Sequence, residues 1–178
     1  MIEGRATIEN IKETIKKLEK MGALFDSEYS FKDIIFVPKK GIYDLNKDFL
    51  RARVYIKNDW PTKNVVLVRK QTLFNDIGKI DNLILKKEFD TEKECFDFIK
   101  LEFNDEFEKS FEYERIGWQY NFENHRGFIE DIKGYNPSIE IEVATNSKDE
   151  LESLFKRIGI IEKVHNSMPE VMRKIFKK

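Results

Sequence analysis

Several stretches of the sequence alternate apolar and charged residues with a period of two. The clearest covers residues 49–57, where Leu50 and Ala52 alternate with Arg51 and Arg53. Because successive side chains of a β-strand point to opposite faces, this pattern predicts a strand with one apolar and one basic face. Like charges on one face repel each other, and a strand tolerates them where solvent screens the pair or an opposite charge lies between them.

The same alternation predicts further strands, and helical spacing predicts the segments that separate them. Glu140 and Glu142 alternate with Ile139 and Ile141, which gives a strand with an acidic face. The predicted strands cover residues 49–57, 64–70, 83–90, 111–120, 126–133 and 138–144. The predicted helices cover residues 7–21 and begin again at Thr91, at Ser147 and after Ser167, with capping boxes formed by Thr91 and Glu94 and by Ser147 and Glu150. This order predicts one α+β domain over residues 1–178, built from two similar halves.

Composition excludes several classes of protein. Lys and Arg total 32 and Asp and Glu total 33, whereas a binder of extended nucleic acid or of a membrane surface normally carries a basic excess. Cys95 is the only cysteine, so no intramolecular disulfide is expected, and its place beside Phe96 predicts a core thiol. His125 and His165 lack the spacing of a zinc site, and no Walker loop or nucleophile elbow is present. Since no long apolar run occurs, we expect a soluble, cytoplasmic protein.

The residue types on the charged faces suit a polyphosphate and a metal ion. The guanidinium fork of arginine matches phosphate oxygens, and lysine adds a point charge. Carboxylates such as Glu140 and Glu142 bind Mg²⁺ or Mn²⁺, which in turn bridges phosphate oxygens. If the sheet curls into a tunnel, the basic and acidic faces meet inside it. The alternative is that each charged face is simply solvated.

Charged motifs follow one another in a definite order over about residues 1–160. They are Glu3-Gly4-Arg5, Asp33-Ile34-Ile35-Phe36, Leu50-Arg51-Ala52-Arg53, Leu67-Val68-Arg69-Lys70, Lys86 with Glu88 and Asp90, Tyr113-Glu114-Arg115, Glu130-Asp131-Ile132 and Glu140-Ile141-Glu142. Their order resembles the CYTH family, also called the triphosphate tunnel metalloenzymes, which includes class IV adenylate cyclases and thiamine triphosphatases.

This resemblance implies an antiparallel β-tunnel of the eight-stranded type, a closed or nearly closed barrel with helices packed outside. It implies phosphate-binding roles for Arg5, Arg51, Arg53, Lys70, Lys86 and Arg115, and for Arg69 if the register of its strand differs by one. It implies metal-binding roles for Glu3, Glu88, Glu140 and Glu142, with Mg²⁺ or Mn²⁺ as the cofactor. The implied catalytic residues are Glu3, Lys86, Glu140 and Glu142.

The resemblance further implies a metal-dependent hydrolase that acts on tripolyphosphate, thiamine triphosphate or ATP. An adenylate cyclase of the same fold is the first alternative. A non-catalytic binder of polyphosphate or nucleotide is the second, because Met1 stands where the family has a glutamate and Arg5 replaces a lysine. Trp60, Trp118 and Tyr120 could stack on a ring, although packing is the favoured role. A homodimer is plausible by resemblance alone.

Overall fold

A computed structural model of the chain describes residues 2–58, 63–74, 79–145 and 147–176. Met1 and Trp60, which the sequence analysis singled out, lie outside these residues. The elements in chain order are β1 (Ile2–Thr7), α1 (Ile11–Lys20), β2 (Leu24–Pro38), β3 (Asp48–Asn58), β4 (Val65–Phe74), β5 (Lys79–Phe89), α2 (Glu92–Glu102), β6 (Phe107–Phe122), β7 (His125–Ile132), β8 (Ser138–Val143), α3 (Lys148–Ile158), β9 (Glu162–Val164) and α4 (Met168–Phe176).

The described residues form one antiparallel sheet of nine strands together with four helices, which confirms the predicted α+β class. The strand order is β5-β4-β3-β2-β6-β7-β8-β1-β9, and β1 also pairs with β5 where Glu3 lies opposite Lys79. The short strand β9 was not predicted. The closed barrel stays a prediction. None of the helices in the described ranges has the length and apolarity needed to cross a membrane.

Contacts group the chain into two compact units, each assembled from three separate segments. The first unit comprises Met1–Tyr29, Leu73–Ile80 and Arg115–His165, and the second comprises Ser30–Thr72, Asp81–Glu114 and Asn166–Lys178. Neither unit is a continuous half of the sequence. The single domain over residues 1–178 stays a prediction.

The core of the first unit lies between one face of its strands and two helices. Ile139 and Ile141 of β8 are fully buried and pack with Leu18 of α1 and with Leu151 and Phe155 of α3. Because side chains alternate along β8, Glu140 and Glu142 lie on the opposite face of that strand. Helix packing on one face therefore leaves the other face for charged residues.

The core of the second unit is built in the same way. Leu50 and Ala52 of β3 and Leu67 of β4 pack with Cys95 and Ile99 of α2. Burial, with a smaller contribution from Glu92, raises the pKa of the Cys95 thiol to about 12. Cys95 is therefore a core residue, as its sequence context predicts.

One predicted helix start, that of α1, and one predicted capping box, that of α3, differ from the structure. The first helix begins at Ile11 rather than near Thr7, because Thr7 still pairs with Ser138 of β8 and Asn10 caps the helix by accepting a hydrogen bond from the Glu13 amide. At α3, Ser147 accepts a hydrogen bond from the Glu150 amide as predicted.

In the predicted capping box at α3, the Glu150 side chain would also bind the backbone of Ser147. In the structure the Glu150 side chain makes other contacts instead. The Glu150 carboxylate binds the hydroxyl of Thr145 and lies 3.0 Å from His125 Nε2. The complete capping box predicted at α2 is confirmed, with Thr91 and Glu94 exchanging both hydrogen bonds.

Gly117 is required by a close approach of Tyr29 to the backbone of β6. A Cβ atom at residue 117 would lie 2.2 Å from Tyr29 Cζ and 2.4 Å from the Tyr29 hydroxyl oxygen. Gly117 pairs with Glu130 of β7, and the Tyr29 hydroxyl donates a hydrogen bond to Glu130 Oε1 at 3.0 Å. The missing side chain at residue 117 therefore makes room for this contact.

We predict that Gly117→Ala destabilises the protein by about 1–3 kcal/mol, since the added methyl group overpacks against a buried ring. The coupling between the two residues is measured by chemical denaturation of Gly117→Ala, of Tyr29→Ala and of the double variant Gly117→Ala/Tyr29→Ala. The cost of the alanine should largely disappear in the Tyr29→Ala background. An equal cost in both backgrounds would show that the tyrosine ring is not the reason for the glycine.

Candidate functional site

The polar face of the first unit is ordered by the register of three neighbouring strands. Glu3 of β1 lies directly opposite Glu142 of β8, and Arg5 lies opposite Glu140. On the other side of β8, Arg126 of β7 lies opposite Glu142. Residues directly opposite each other in antiparallel strands project to the same face, so these side chains share one surface.

Three of the predicted metal ligands lie together on this surface. One carboxylate oxygen from each of Glu3, Glu140 and Glu142 lies within 4.8 Å of the others, and all three residues are half-buried. Three like charges this close are unfavourable without a cation. Carboxylate oxygens are the ligands preferred by hard divalent cations such as Mg²⁺ and Mn²⁺, so the donor set fits the predicted cofactor.

Arg5 is held by acidic and polar groups of the neighbouring strands. Its Nη1 donates to Glu130 Oε2 at 2.5 Å and to Ser138 Oγ at 3.0 Å. Its Nη2 donates to Glu140 Oε2 at 2.8 Å. Burial alone would lower the pKa of Arg5, but Glu130 and Glu140 outweigh it and raise that pKa above its usual range. Arg5, a predicted phosphate ligand, is therefore bound to two carboxylates in the structure.

Glu130 is the acidic centre of this surface. Glu130 is only 3% exposed. Its carboxylate accepts hydrogen bonds from Arg5, from Arg115 Nη1 at 3.1 Å and from the Tyr29 hydroxyl. Burial and the charge of Glu130 raise the pKa of Tyr29 well above its usual range. Arg115, another predicted phosphate ligand, is thus tied to a buried carboxylate.

Glu130 belongs to one of the motifs that carry the resemblance, but no role in the site was predicted for it. The feature that could have predicted a role for Glu130 in the site is its position along β7. Glu130 pairs with Ser138, two residues before Glu140, and therefore belongs to the face of the acidic cluster. That assignment needs the strand register, which the sequence pattern did not supply.

The basic face of the second unit is also organised around a buried carboxylate. Asp33 of β2 is fully buried, and Arg53 donates from Nε to Asp33 Oδ1 at 2.8 Å and from Nη2 to Asp33 Oδ2 at 3.1 Å. Arg51 Nη1 lies 3.7 Å from Asp33 Oδ2. Asp33 is thus the opposite charge that allows two arginines on one face of β3. The Arg53 guanidinium also lies 3.5 Å from the centre of the Phe31 ring.

Strand register separates the two predicted phosphate ligands of β4. Lys70 lies opposite Phe49, so it shares a face with Arg51 and Arg53, whereas Arg69 lies opposite Leu50 on the other face. Arg69 forms a two-pronged contact with Asp48, with distances of 3.2 Å and 2.8 Å. Lys70 rather than Arg69 is therefore placed with the arginines of β3.

Lys86 and Glu88 lie on β5 of the second unit. Lys86 Nζ is 3.7 Å from Glu88 Oε1, and the two side chains are 55% and 36% exposed. They alternate with Leu85 and Phe89, which pack on the apolar cluster of this unit. Their roles in metal binding, phosphate binding and catalysis stay predictions.

Trp118 and Tyr120 of β6 serve packing, which is the role favoured from the sequence. Trp118 packs against the core of the first unit, and Tyr120 is 4% exposed and makes an edge contact with Phe25. Trp60 lies outside the described residues. Trp118 and Tyr120 are therefore engaged in packing within the first unit.

No protein-family model and no curated protein matches this chain. Solved structures do match it over nearly its whole length. A protein from Pyrococcus horikoshii superimposes with a TM-score of 0.78 at 15% identity, covering 97% of this chain and 98% of that chain. A candidate adenylate cyclase from Vibrio parahaemolyticus gives a TM-score of 0.72 at 10% identity and covers 97% of each chain. A candidate adenylyl cyclase from the plant Hippeastrum, described as having a dominant triphosphatase activity, gives 0.68 at 17% identity over 97% of this chain and 95% of that chain.

At these identities the likeness concerns the fold. Structures described as adenylate cyclases, together with one that has triphosphatase activity, fit the resemblance predicted from the order of the charged motifs. The chain therefore shares the fold of these solved structures.

Proposed function

We propose that this protein is a metal-dependent enzyme that binds triphosphate-bearing molecules and hydrolyses them. The observation that carries the proposal is the group formed by Glu3, Glu140 and Glu142, three carboxylates with ligand atoms within 4.8 Å of one another. The triphosphatase activity described for the Hippeastrum protein of the same fold supports hydrolysis as the reaction.

In this proposal the three glutamates hold Mg²⁺ or Mn²⁺. The bound ion would neutralise charge on the phosphate oxygens and align them, which is most of what phosphoryl transfer requires of a catalyst. Arg51, Arg53 and Lys70, which share one face of the second unit, are the proposed phosphate ligands. Arg5 is proposed to position the Glu140 carboxylate through its hydrogen bond, and the phosphate-binding role that the resemblance implies for Arg5 stays a prediction.

An adenylate cyclase is the second candidate function, favoured by the descriptions of several solved structures with this fold. Cyclisation requires the ribose hydroxyl to be placed at the α-phosphate, whereas hydrolysis requires a water molecule at the terminal phosphate. A binder without catalysis is the third candidate, because Arg5 replaces the lysine of the first motif and is engaged with Glu130 and Glu140.

Thermal unfolding with tripolyphosphate, thiamine triphosphate and ATP, each with and without Mg²⁺ or Mn²⁺, tests the proposal. Ligand at about 100 times its dissociation constant should add about 2.7 kcal/mol to the free energy of unfolding. Phosphate release and cyclic AMP are then measured on the same samples. Metal-dependent stabilisation with phosphate release supports the hydrolase, cyclic AMP supports the cyclase, and stabilisation without either product supports the binder. No stabilisation by any combination would refute all three.

We predict that Glu140→Gln and Glu142→Gln each weaken metal binding by roughly 100-fold, since each removes a charged ligand from a set of three. Under conditions that stabilise the wild-type protein by about 2.7 kcal/mol, a 100-fold weaker complex retains only about 0.4 kcal/mol. The metal-dependent part of the thermal shift measures this loss.

Glu19→Gln is the matched control, because it makes the same chemical change at an exposed position of α1. It should keep the full metal-dependent shift. If Glu140→Gln and Glu142→Gln also kept it, the assignment of the metal to these glutamates would be wrong.

We predict that Arg51→Gln/Arg53→Gln both abolishes triphosphate binding and lowers the free energy of unfolding by about 3 kcal/mol or more. Repulsion between the arginines would by itself make their removal stabilising. The structure predicts the opposite change in the free energy of unfolding. Asp33 is fully buried and would lose the charge of both guanidinium groups beside it.

Adding Asp33→Asn to the double variant separates the two effects. It should restore much of the stability, as measured by chemical denaturation, without restoring triphosphate binding in a calorimetric titration. Unchanged stability of the double variant would contradict the role assigned to Asp33. Unchanged triphosphate affinity in the stable triple variant would remove Arg51 and Arg53 from the phosphate site.

A further inference from the structure

Arg126 of β7 forms an ion pair with one of the proposed metal ligands. Its Nη2 lies 2.5 Å from Glu142 Oε2, and the two residues are directly opposite each other in the β7–β8 register. The Arg126 side chain is 48% exposed, whereas that of Glu142 is 16% exposed. The motifs that identified the other charged residues of this surface do not include Arg126.

Arg126, Glu142 and Glu3 occupy one row across three neighbouring strands. Glu142 faces Arg126 on one side and the like-charged Glu3 on the other. Like charges directly opposite each other destabilise a strand pair, so the row requires positive charge. Arg126 supplies that charge to the same carboxylate that a metal ion would use.

We propose that Arg126 is an internal counter-ion that competes with the metal for Glu142 and, once the metal displaces it, binds the phosphate oxygens of the triphosphate. This inference rests on the proposed function and adds a substrate-binding residue to it. A divalent cation at Glu142 both neutralises the carboxylate and repels the guanidinium beside it. The displaced side chain remains next to the site where the metal-bound phosphates would lie, and a guanidinium matches their oxygens.

Burial distinguishes Arg126 from the two other arginines on this face. Arg5 and Arg115 have side chains that are 8% and 4% exposed, and both are bound to the buried Glu130. Releasing either would leave Glu130 with less positive charge in the core. Arg126 pairs with a carboxylate that the metal itself would neutralise, and half of its side chain is already in solvent. Its displacement therefore leaves no uncompensated buried charge.

The test compares the wild-type protein with Arg126→Gln, Arg126→Lys and Arg157→Gln. Arg157 is exposed on α3, so its substitution makes the same change in net charge away from the polar face. Mn²⁺ affinity is measured without substrate by the electron paramagnetic resonance signal of the free ion. Tripolyphosphate affinity is measured by calorimetry at saturating Mn²⁺. Both readouts are independent of turnover.

Arg126→Gln should bind Mn²⁺ about three- to tenfold more tightly, because no ion pair has to be broken and one repulsion is removed. It should bind tripolyphosphate at least about tenfold more weakly, because a charged phosphate contact is lost. Arg126→Lys keeps the charge, so its Mn²⁺ affinity should stay close to that of the wild-type protein. Arg157→Gln should change neither affinity.

Opposite changes in the two affinities would not result from a general loss of structure. The metal-free melting temperature of Arg126→Gln provides a second check, since it should be lower than that of the wild-type protein and recover when Mn²⁺ is added.

Unchanged or weaker Mn²⁺ binding by Arg126→Gln would overturn the competition while leaving the proposed function intact. Tighter Mn²⁺ binding with unchanged tripolyphosphate affinity would overturn the phosphate contact. If neither the wild-type protein nor Arg126→Gln bound Mn²⁺, the proposed function and this inference would both be refuted.

Discussion

The charged faces of this protein depend on buried carboxylates that hold arginines in place. In the first unit, Glu130 binds Arg5 and Arg115, and in the second, Asp33 binds Arg53 and lies near Arg51. Each carboxylate is almost inaccessible to solvent, so its charge is acceptable only while the arginines remain beside it. The same contact allows several arginines to share a strand face, because it offsets their mutual repulsion. Charge placement and fold stability are therefore coupled in both units.

This coupling changes how the charged residues should be interpreted. A motif position records that an arginine is present, but not whether its guanidinium is available to a ligand. Arg5 and Arg115 are nearly buried and engaged with Glu130, so their first effect is on the arrangement of the surface. Arg5 also fixes one oxygen of Glu140 and thereby links the buried network to the proposed metal ligands. Losing such a residue would alter both the stability of the protein and the positions of the proposed metal ligands.

Arg126 illustrates the opposite case. It lies on the same polar face but is half exposed, and its partner Glu142 is a proposed metal ligand rather than a buried structural carboxylate. In the proposed exchange, a metal ion would replace the Arg126–Glu142 ion pair at little cost in desolvation. In the proposed function, Arg5 and Arg115 keep the surface in its arrangement, whereas Arg126 changes its partner when a metal ion binds. The distinction follows from burial and from the identity of the partner, since the side chains are chemically the same.

The sequence by itself determined the α+β class, the strands from β3 to β8 and the faces on which many charged residues lie. It could do so because a period of two places alternate residues on opposite faces, and because the packing of Leu50, Ala52, Ile139 and Ile141 selects which face is covered by helices. It also identified Glu3, Glu140 and Glu142 as a group, through resemblance to a family whose motifs occur in this order. It misplaced the start of α1 because helical spacing continues through Thr7, which is held in β1 by its pairing with Ser138.

The tertiary structure decided which charges meet. Strand register is a pairing between distant segments, and a shift of one residue moves every side chain to the other face. Register therefore placed Lys70 rather than Arg69 beside the arginines of β3, and Arg126 beside Glu142. It also brought Asp33 and Glu130 to their arginine partners over long separations in sequence. Local pattern specifies the face on which a charge lies, whereas only the folded chain specifies its partner, because the partner comes from another strand.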